Sequence, residues 1–306
     1  MFRRVRVPAI CLLVLAFSAA YAQTAAPPQT QPKQRRFLMW KAVSPTTSLY
    51  LVGSIHVGDK SMYPLPQEVE SAFAGAKVLT VEINVKNVNQ MEMLGLVQKN
   101  GMYSGGDSLS KHISPETSAA LDDYCSKHNL PRAGLEQFRP WFVAVTVAAL
   151  AWKAAGEDPD LGIDMHFLNE SKPPQRIDEL ETAESQLNLF VNASEEEQQA
   201  LLDSSLKQGD KMKEMIQRIQ AAYISGDPAA LEKIMHEQAD TGSKTLTKKL
   251  LDDRNVAMAA RLDQYLKTKE QAFVVVGAAH IVGDKGIAKL LRDKGYKVEQ
   301  VTLEAK

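Results

Sequence analysis

Apolar and polar positions recur along the chain with periods that mark its elements. Phe37 to Val43 and Ser48 to Val52 are apolar, β-rich runs separated by Pro45-Thr46-Thr47, and they predict a hairpin. Pro66 suits a first helical position, and Val69, Ala72, Phe73 and Ala76 fall at i, i+3, i+4 and i+7, giving one buried stripe. Val78 to Ile83 then reads as a short buried strand. Near the other end, Phe273 to Val276 is a strand core closed by Gly277. Ile287, Leu290 and Leu291 mark a short helix, and Gly295 stops it before a strand from Tyr296 to Val301. Two strand-loop-helix-strand units therefore flank the chain.

Between them, from about Gly101 to Lys269, the pattern is mostly helical. Pro140 to Ala155 is apolar almost all round, as a buried helix is. Ser194 and Glu197 form a capping box that opens a long polar helix, Gly226-Asp227-Pro228 breaks it, and Thr245 to Leu266 resumes. Gln175 to Ile177 adds one more strand. The expectation is an α/β fold: a mixed sheet built by the two end units, with a large helical insertion.

The first residues set location. Arg3, Arg4 and Arg6 precede the apolar run Ile10 to Phe17, and Ala20-Tyr21-Ala22 ahead of Gln23 is a small-x-small cleavage site. The run is about half the ~20 residues a membrane span needs. The reading is a leader over 1–22, a flexible lead-in over 23–36 and one domain over 37–306, periplasmic or secreted, with no membrane span after cleavage. Cleavage takes Arg3, Arg4 and Arg6 from the 36 basic residues, leaving 33 against 37 acidic ones, a formal charge of −4. No basic field is left for nucleic acid. Hydrophobic residues at 44% and charged residues at 24% are ordinary for a globular chain. Cys11 departs with the leader, so Cys125 has no second cysteine to pair with.

The two end units share a motif. The first strand of each runs into Gly-x-x-His, as Gly53-Ser54-Ile55-His56 and Gly277-Ala278-Ala279-His280, and Val57-Gly58-Asp59 is echoed by Val282-Gly283-Asp284. A glycine ending a strand lets the backbone turn sharply, which sets each histidine over the carboxyl edge of the sheet, where open α/β folds bind their ligands. Glu82, ending the strand after the first unit's helix, points to the same edge. Glu299 in the second unit is spaced differently. Two neutral imidazoles and a carboxylate make a ligand set for a divalent metal with positions open to water, and nitrogen and oxygen donors without thiolate suit Zn, Mn or Co. The bland alternative is that Glu82 only pairs with Arg139 or Arg254. Arg139 and Arg254 are candidates to hold a substrate carbonyl or carboxylate, or to steady Glu82 or Asp164. His166 is a candidate further ligand or base, or a satisfied core histidine.

Other signals are weaker. His236-Glu237 has Asp240 where H-E-x-x-H needs its second histidine, so it reads as solvated helix surface. Cys125 and His128 share a helical face with no third group nearby. There is no P-loop, G-x-S-x-G elbow or dinucleotide fingerprint.

With these residues in view the sequence resembles the TraB/GumN family, whose animal relatives are the Tiki proteases that cut Wnt proteins. The resemblance runs from Trp40 to Val301. It is carried by Gly53 to His56, Tyr63-Pro64-Leu65-Pro66, Val81-Glu82, Arg139-Pro140-Trp141, Gly162-Ile163-Asp164, Leu180-Glu181, Gly226-Asp227, Arg254-Asn255 and Gly277 to Gly283. Ala278-Ala279 departs from the Ala-Gly often seen before the second histidine. The resemblance implies an α/β fold with duplicated halves and, by analogy with the Tiki members, a metal-dependent peptidase using His56, His280 and Glu82 on a peptide or protein substrate. Other members are implicated in pheromone shutdown and plasmid transfer. Two rival readings stand beside this: a non-catalytic protein binding a peptide, haem or metal in the same cleft, and a scaffold whose helical insertion binds a partner.

Overall fold

The computed structural model describes residues 36–209, 211–239 and 243–303. The expected leader over 1–22, and the lead-in except its last residue, lie outside the described residues. Strands form where the apolar runs predict them. β1 (Arg36–Val43) and β2 (Ser48–Ser54) pair antiparallel with Met39 opposite Val52. Their turn is held by the Ser44 hydroxyl, which accepts from the Thr46 and Thr47 amides at 3.3 and 3.1 Å. β3 (Val78–Val81), β4 (Arg176–Glu179), β5 (Ala272–Gly277) and β6 (Lys297–Thr302) complete a mixed six-stranded sheet in the order β4-β3-β5-β2-β1-β6.

β3 and β5 are buried at every position, Thr80 of β3 included, as parallel strands covered on both faces are. β5 pairs parallel with β2 on one side and β3 on the other. The first strand of the C-terminal unit is thus inserted between β2 and β3 of the N-terminal one, while its second strand, β6, lies at the edge beside β1.

The helices are α1 (Gln67–Ala74), α2 (Gln90–Gly101), α3 (Pro115–Lys127), α4 (Pro140–Ala154), α5 (Ile163–Glu170), α6 (Ala183–Val191), α7 (Glu195–Gly209), α8 (Met212–Ile224), α9 (Pro228–Ala239), α10 (Lys244–Thr247), α11 (Asp253–Tyr265), α12 (Ala278–Ile281) and α13 (Ile287–Asp293). On α1 the expected stripe Val69, Ala72 and Phe73 is buried. Phe73, Phe167 and Phe273 meet with ring centroids 4.7 to 5.4 Å apart, tying α1 and α5 to β5.

The capping box at Ser194 and Glu197 forms as expected: the Ser194 amide donates to Glu197 Oε2 at 2.9 Å, and the Glu197 amide donates to Ser194 Oγ at 3.2 Å. The long polar helix expected to follow is two helices instead. α7 ends on Gly209, where a Cβ would sit 2.6 Å from the Tyr124 ring. α8 then docks Met215, Ile216, Ile219 and Tyr223 into the core of the sheet, and the Tyr223 hydroxyl donates to the Gly53 carbonyl at 2.7 Å. The helix expected from Thr245 to Leu266 also divides, with a π-helical turn over Lys248–Asp252 ahead of α11.

Two smaller cores sit among the helices, one around Leu121, Val143 and Leu202, the other around Trp141, Leu187 and Phe190. Cys125 is buried in the first, and burial raises its thiol pKa, as befits inert packing. No helix among the described residues is long and apolar enough to cross a membrane.

Candidate functional site

The register of β2 against β5 sets Ser54 opposite Gly277. Both Gly-x-x-His motifs therefore leave the sheet at one carboxyl edge and one level. His56 lies in the loop after β2, and His280 lies on α12, the single turn into which β5 runs directly. Glu82 follows β3, and its Oε1 accepts from the Gly277 amide at 2.5 Å. A Cβ built on Gly277 would lie 3.2 Å from His56 Nε2, 3.3 Å from Glu82 Oε1 and 3.5 Å from His280 Cδ2. The three candidate ligands thus converge over one bare Cα.

Neighbours fix each ring. Asp164, in the first turn of α5, lies with Oδ1 3.2 Å from His56 Nδ1 and accepts from the Ser54 hydroxyl at 2.6 Å. The Ser54 hydroxyl in turn accepts from the Asp164 amide at 3.2 Å. With the His56 proton on Nδ1, Nε2 faces Gly277. Asn255 does the same for His280: its Oδ1 is 2.6 Å from His280 Nδ1, while its Nδ2 donates to the Lys285 carbonyl at 3.0 Å. Only the NH2 end of an amide can donate to a carbonyl, so Oδ1 accepts, Nδ1 of His280 carries the proton and its Nε2 is bare. That nitrogen lies 3.8 Å from Glu82 Oε1, lone pair toward carboxylate.

Arg254 binds the other carboxylate oxygen. Its Nη2 donates to Glu82 Oε2 at 2.7 Å and to Glu181 Oε2 at 2.6 Å, its Nε donates to Glu181 Oε1 at 2.9 Å, and its Nη1 donates to the Leu250 carbonyl at 3.0 Å. The Gln186 amide bridges the same two carboxylates. Arg254 and Asn255 are successive residues, both buried, just after the π-helical turn. A widened turn re-registers a helix, and such turns recur at functional sites.

Burial alone pulls the His56 pKa down, but the charge and hydrogen bond of Asp164, helped by Glu82, raise it to about 9. Burial dominates for His280 and lowers it to about 4 against the pull of Glu82. Burial likewise works against ionised Glu82, yet the charges of His280, Arg254 and His56 and the Gly277 amide bring it to about 2. At neutral pH the site is an imidazolium, a neutral imidazole and a carboxylate, with His56 the partly exposed member.

Asp164 and Arg254 take supporting places around His56 and Glu82, and the Glu82–Arg254 ion pair weighed from sequence forms alongside the convergence of the histidines. Arg139 is not brought to this group. It caps α4, and its guanidinium sits over the Tyr103 ring, 5.0 Å from the centroid. His166 shares α5 with Asp164 but pairs with Glu70 at 2.8 Å and packs on Tyr63, because two residues along a helix turn it to another face. Glu299 is exposed beside Lys297. Sequence reasoning assigned no role to Ser54, Gln186, Glu181 or Asn255. Ser54 did stand in Gly53-Ser54-Ile55-His56, Glu181 in Leu180-Glu181 and Asn255 in Arg254-Asn255. Among the described residues, no three His, Cys, Asp or Glu side chains are set at metal-ligating geometry.

Gly277 gives a direct test of the convergence. Its φ of −49° and ψ of 134° are open to alanine. Gly277→Ala is therefore expected to fold, with a modestly lowered thermal midpoint because its methyl lies 3.2 Å from His56 Nε2 and 3.3 Å from Glu82 Oε1, and to lose any ligand bound between His56, Glu82 and His280. Unchanged binding would show that the space over Gly277 is not the site.

Fold and site together define a mixed α/β protein with a His-Glu-His group at the carboxyl edge of its sheet, Glu82 and His280 buried and His56 partly exposed, braced by an Arg–Glu pair. The chain belongs to the TraB/PrgY/gumN family, whose profile matches residues 38–300. It is similar to the uncharacterized protein YbaP of Escherichia coli strain K12, 24% identical over 258 residues that span 83% of this chain and 92% of the relative. It is also similar to an uncharacterized protein of Treponema pallidum strain Nichols, 23% identical over 304 residues that span 92% of this chain and 89% of the relative. No solved structure matches the chain.

Proposed function

We propose that the chain is an exported metal-dependent hydrolase acting on peptide or protein substrates, with His56, Glu82 and His280 holding a divalent cation such as Zn, Mn or Co. One observation carries this reading: His56 Nε2, Glu82 Oε1 and the Cδ2 edge of the His280 ring meet over Gly277, and His280 Nε2 lies 3.8 Å from the same Glu82 oxygen, with each Nδ1 close to an oxygen. An imidazole that donates its far N–H to a carboxylate or carbonyl is how proteins orient histidine toward a metal. The donor chemistry fits a borderline cation, and the 3.8 Å approach of bare Nε2 to Glu82 Oε1 leaves two acceptors facing each other, which a cation would reconcile.

A bound metal would supply a polarised carbonyl and an activated water. The chain's own residues do the positioning: Asp164 and Asn255 keep both Nε2 atoms inward, and Arg254 balances the charge of Glu82 and Glu181. The rival reading, a binding protein without turnover, draws on the hold Arg254 and the Gly277 amide have on both oxygens of Glu82. The deciding experiment incubates the purified chain with a peptide library, with chelator and with each metal in turn. Cleavage that needs the metal supports the hydrolase, and metal or peptide binding without cleavage overturns it.

Metal affinity should also depend on pH. The His56 proton, retained to about 9, must leave before Nε2 can ligate, so affinity should rise up to roughly tenfold per pH unit until about pH 9. His280, lowered to about 4, is already bare at neutral pH and adds no slope there. A titration showing equal affinity at about pH 6 and 8 would remove His56 from the ligand set.

A further inference from the structure

A separate set of oxygen atoms lies three residues beyond His56. Gly58 and Asp158 form an isolated antiparallel bridge, with N–H···O distances of 3.0 and 2.9 Å. Its register puts Asp59 directly opposite Glu157, and like charges so placed repel. Glu157 is 8% exposed. Its Oε1 accepts from the Gln220 side-chain amide at 3.1 Å, and its Oε2 is buried with no hydrogen-bond partner. The same Gln220 Nε2 donates to Asp59 Oδ2 at 3.3 Å. Glu157 Oε1 and Asp59 Oδ2 thus approach one and the same nitrogen, while Glu157 Oε2 stays buried and unpaired. Among the described residues, no Lys, Arg or His forms an ion pair with Asp59 or Glu157. Burial and the charge of Asp59 raise the Glu157 pKa, the expected strain of a buried carboxylate lacking a cation.

We propose that Asp59, Glu157 and Gln220 form a second cation site, distinct from the His56–Glu82–His280 group, selective for a hard divalent ion of the Ca2+ class. The donors are all oxygen: two carboxylates, and the Gln220 carbonyl once its amide turns over to present Oε1 in place of Nε2. Ca2+ accepts such irregular oxygen sets and fills its remaining positions with water, whereas Mg2+ demands near-octahedral geometry. The site would clamp two segments that the histidine group depends on. Asp59 continues the loop from His56. Glu157 leads through the turn Pro159–Leu161 to Gly162 and to Asp164, the residue that orients His56. Gln220 joins α8 to that clamp.

The test uses the full chain with CaCl2 alone, read by calorimetric titration and thermal unfolding, with MgCl2 as control. The expected result is one Ca2+ per chain with a Kd of roughly 0.1–1 mM. Asp59→Asn and Glu157→Gln should each weaken it roughly tenfold or more, and His280→Ala should leave it unchanged. Without Ca2+, Glu157→Gln should melt above the parent because it removes a buried unpaired charge, and added Ca2+ should raise the midpoint of the parent but not of the variant. The proposal is overturned if the parent takes up no Ca2+ in that range, if Glu157→Gln binds as tightly as the parent, or if binding is lost with His280→Ala. Loss of the hydrolase reading would leave these outcomes unaffected.

Discussion

Arg254→Met is expected to cost the fold about 3–5 kcal/mol, because it strips the cation from a buried pair and leaves charge behind. Arg254 and Glu82 are 7% and 8% exposed, and Arg254 also serves Glu181. Removing the guanidinium leaves Glu82 facing the Gly277 amide and Gln186 alone. The loss should depend on pH in a definite direction. Glu82 has its folded pKa lowered to about 2, so its contribution is fully present above the ordinary carboxylate range and is lost as pH falls through about 2. Without Arg254 that depression shrinks, so the variant should differ most from the parent near neutral pH and least in acid.

Urea unfolding checks both statements. The double change Arg254→Met with Glu82→Gln should recover the part of the loss that comes from stranding Glu82, while Glu181 still lacks its guanidinium. If Arg254→Met unfolds like the parent, the pair is not holding the edge of the sheet. If the double variant is as unstable as the losses added together, Glu82 and Arg254 are not coupled.

The second large effect concerns the two histidines. His56→Ala and His280→Ala should each take metal-dependent hydrolysis to the background rate, and the double variant should do no further harm, because residues acting as one unit are strongly non-additive. Asp164→Asn and Asn255→Ala should act through the rings they orient, weakening metal binding by about 10–100-fold while leaving the ligands in place. Metal titration followed by circular dichroism separates this from misfolding. His56 lies in a loop and is partly exposed, so His56→Ala should keep its helical signal. His280 is buried on α12, so a tight-binding His280→Ala protein would count against the shared site more directly than an unstable one. Losses that simply multiply would mean that the two Gly-x-x-His loops work separately.

Much of this architecture is legible in local patterns. The hairpin, the stripe on α1, the all-apolar β5, the capping box at Ser194 and the buried α4 follow from periods of 2 and 3.6 and from cap chemistry, which act over a few residues. The two Gly-x-x-His motifs and Glu82 were also legible, because each ends a strand and chemistry gathers at strand ends. Positions that local patterns left open or misread share another trait: their partners are distant in sequence. His166, open between ligand and satisfied histidine, turns to Glu70, Arg139 turns to Tyr103, and the polar-looking stretch after Ser194 holds α8, whose buried face meets β1 through Tyr223 and Phe37.

The sequence by itself determined the strands and where helices lie, though not how those after Ser194 and Thr245 divide, and it determined which residue types end up at the sheet's carboxyl edge. Only the tertiary structure decided that β5 enters between β2 and β3, which makes the two motifs neighbours and brings Glu82 under Gly277. The same holds for the pairing of Asn255 with His280 across 25 residues and of Arg254 with Glu82 across 172. The physical reason is that strand order and buried polar partnerships are settled by which arrangement buries the most apolar surface while leaving the fewest polar groups unpaired. That balance is struck over the whole chain at once, and no local window contains it.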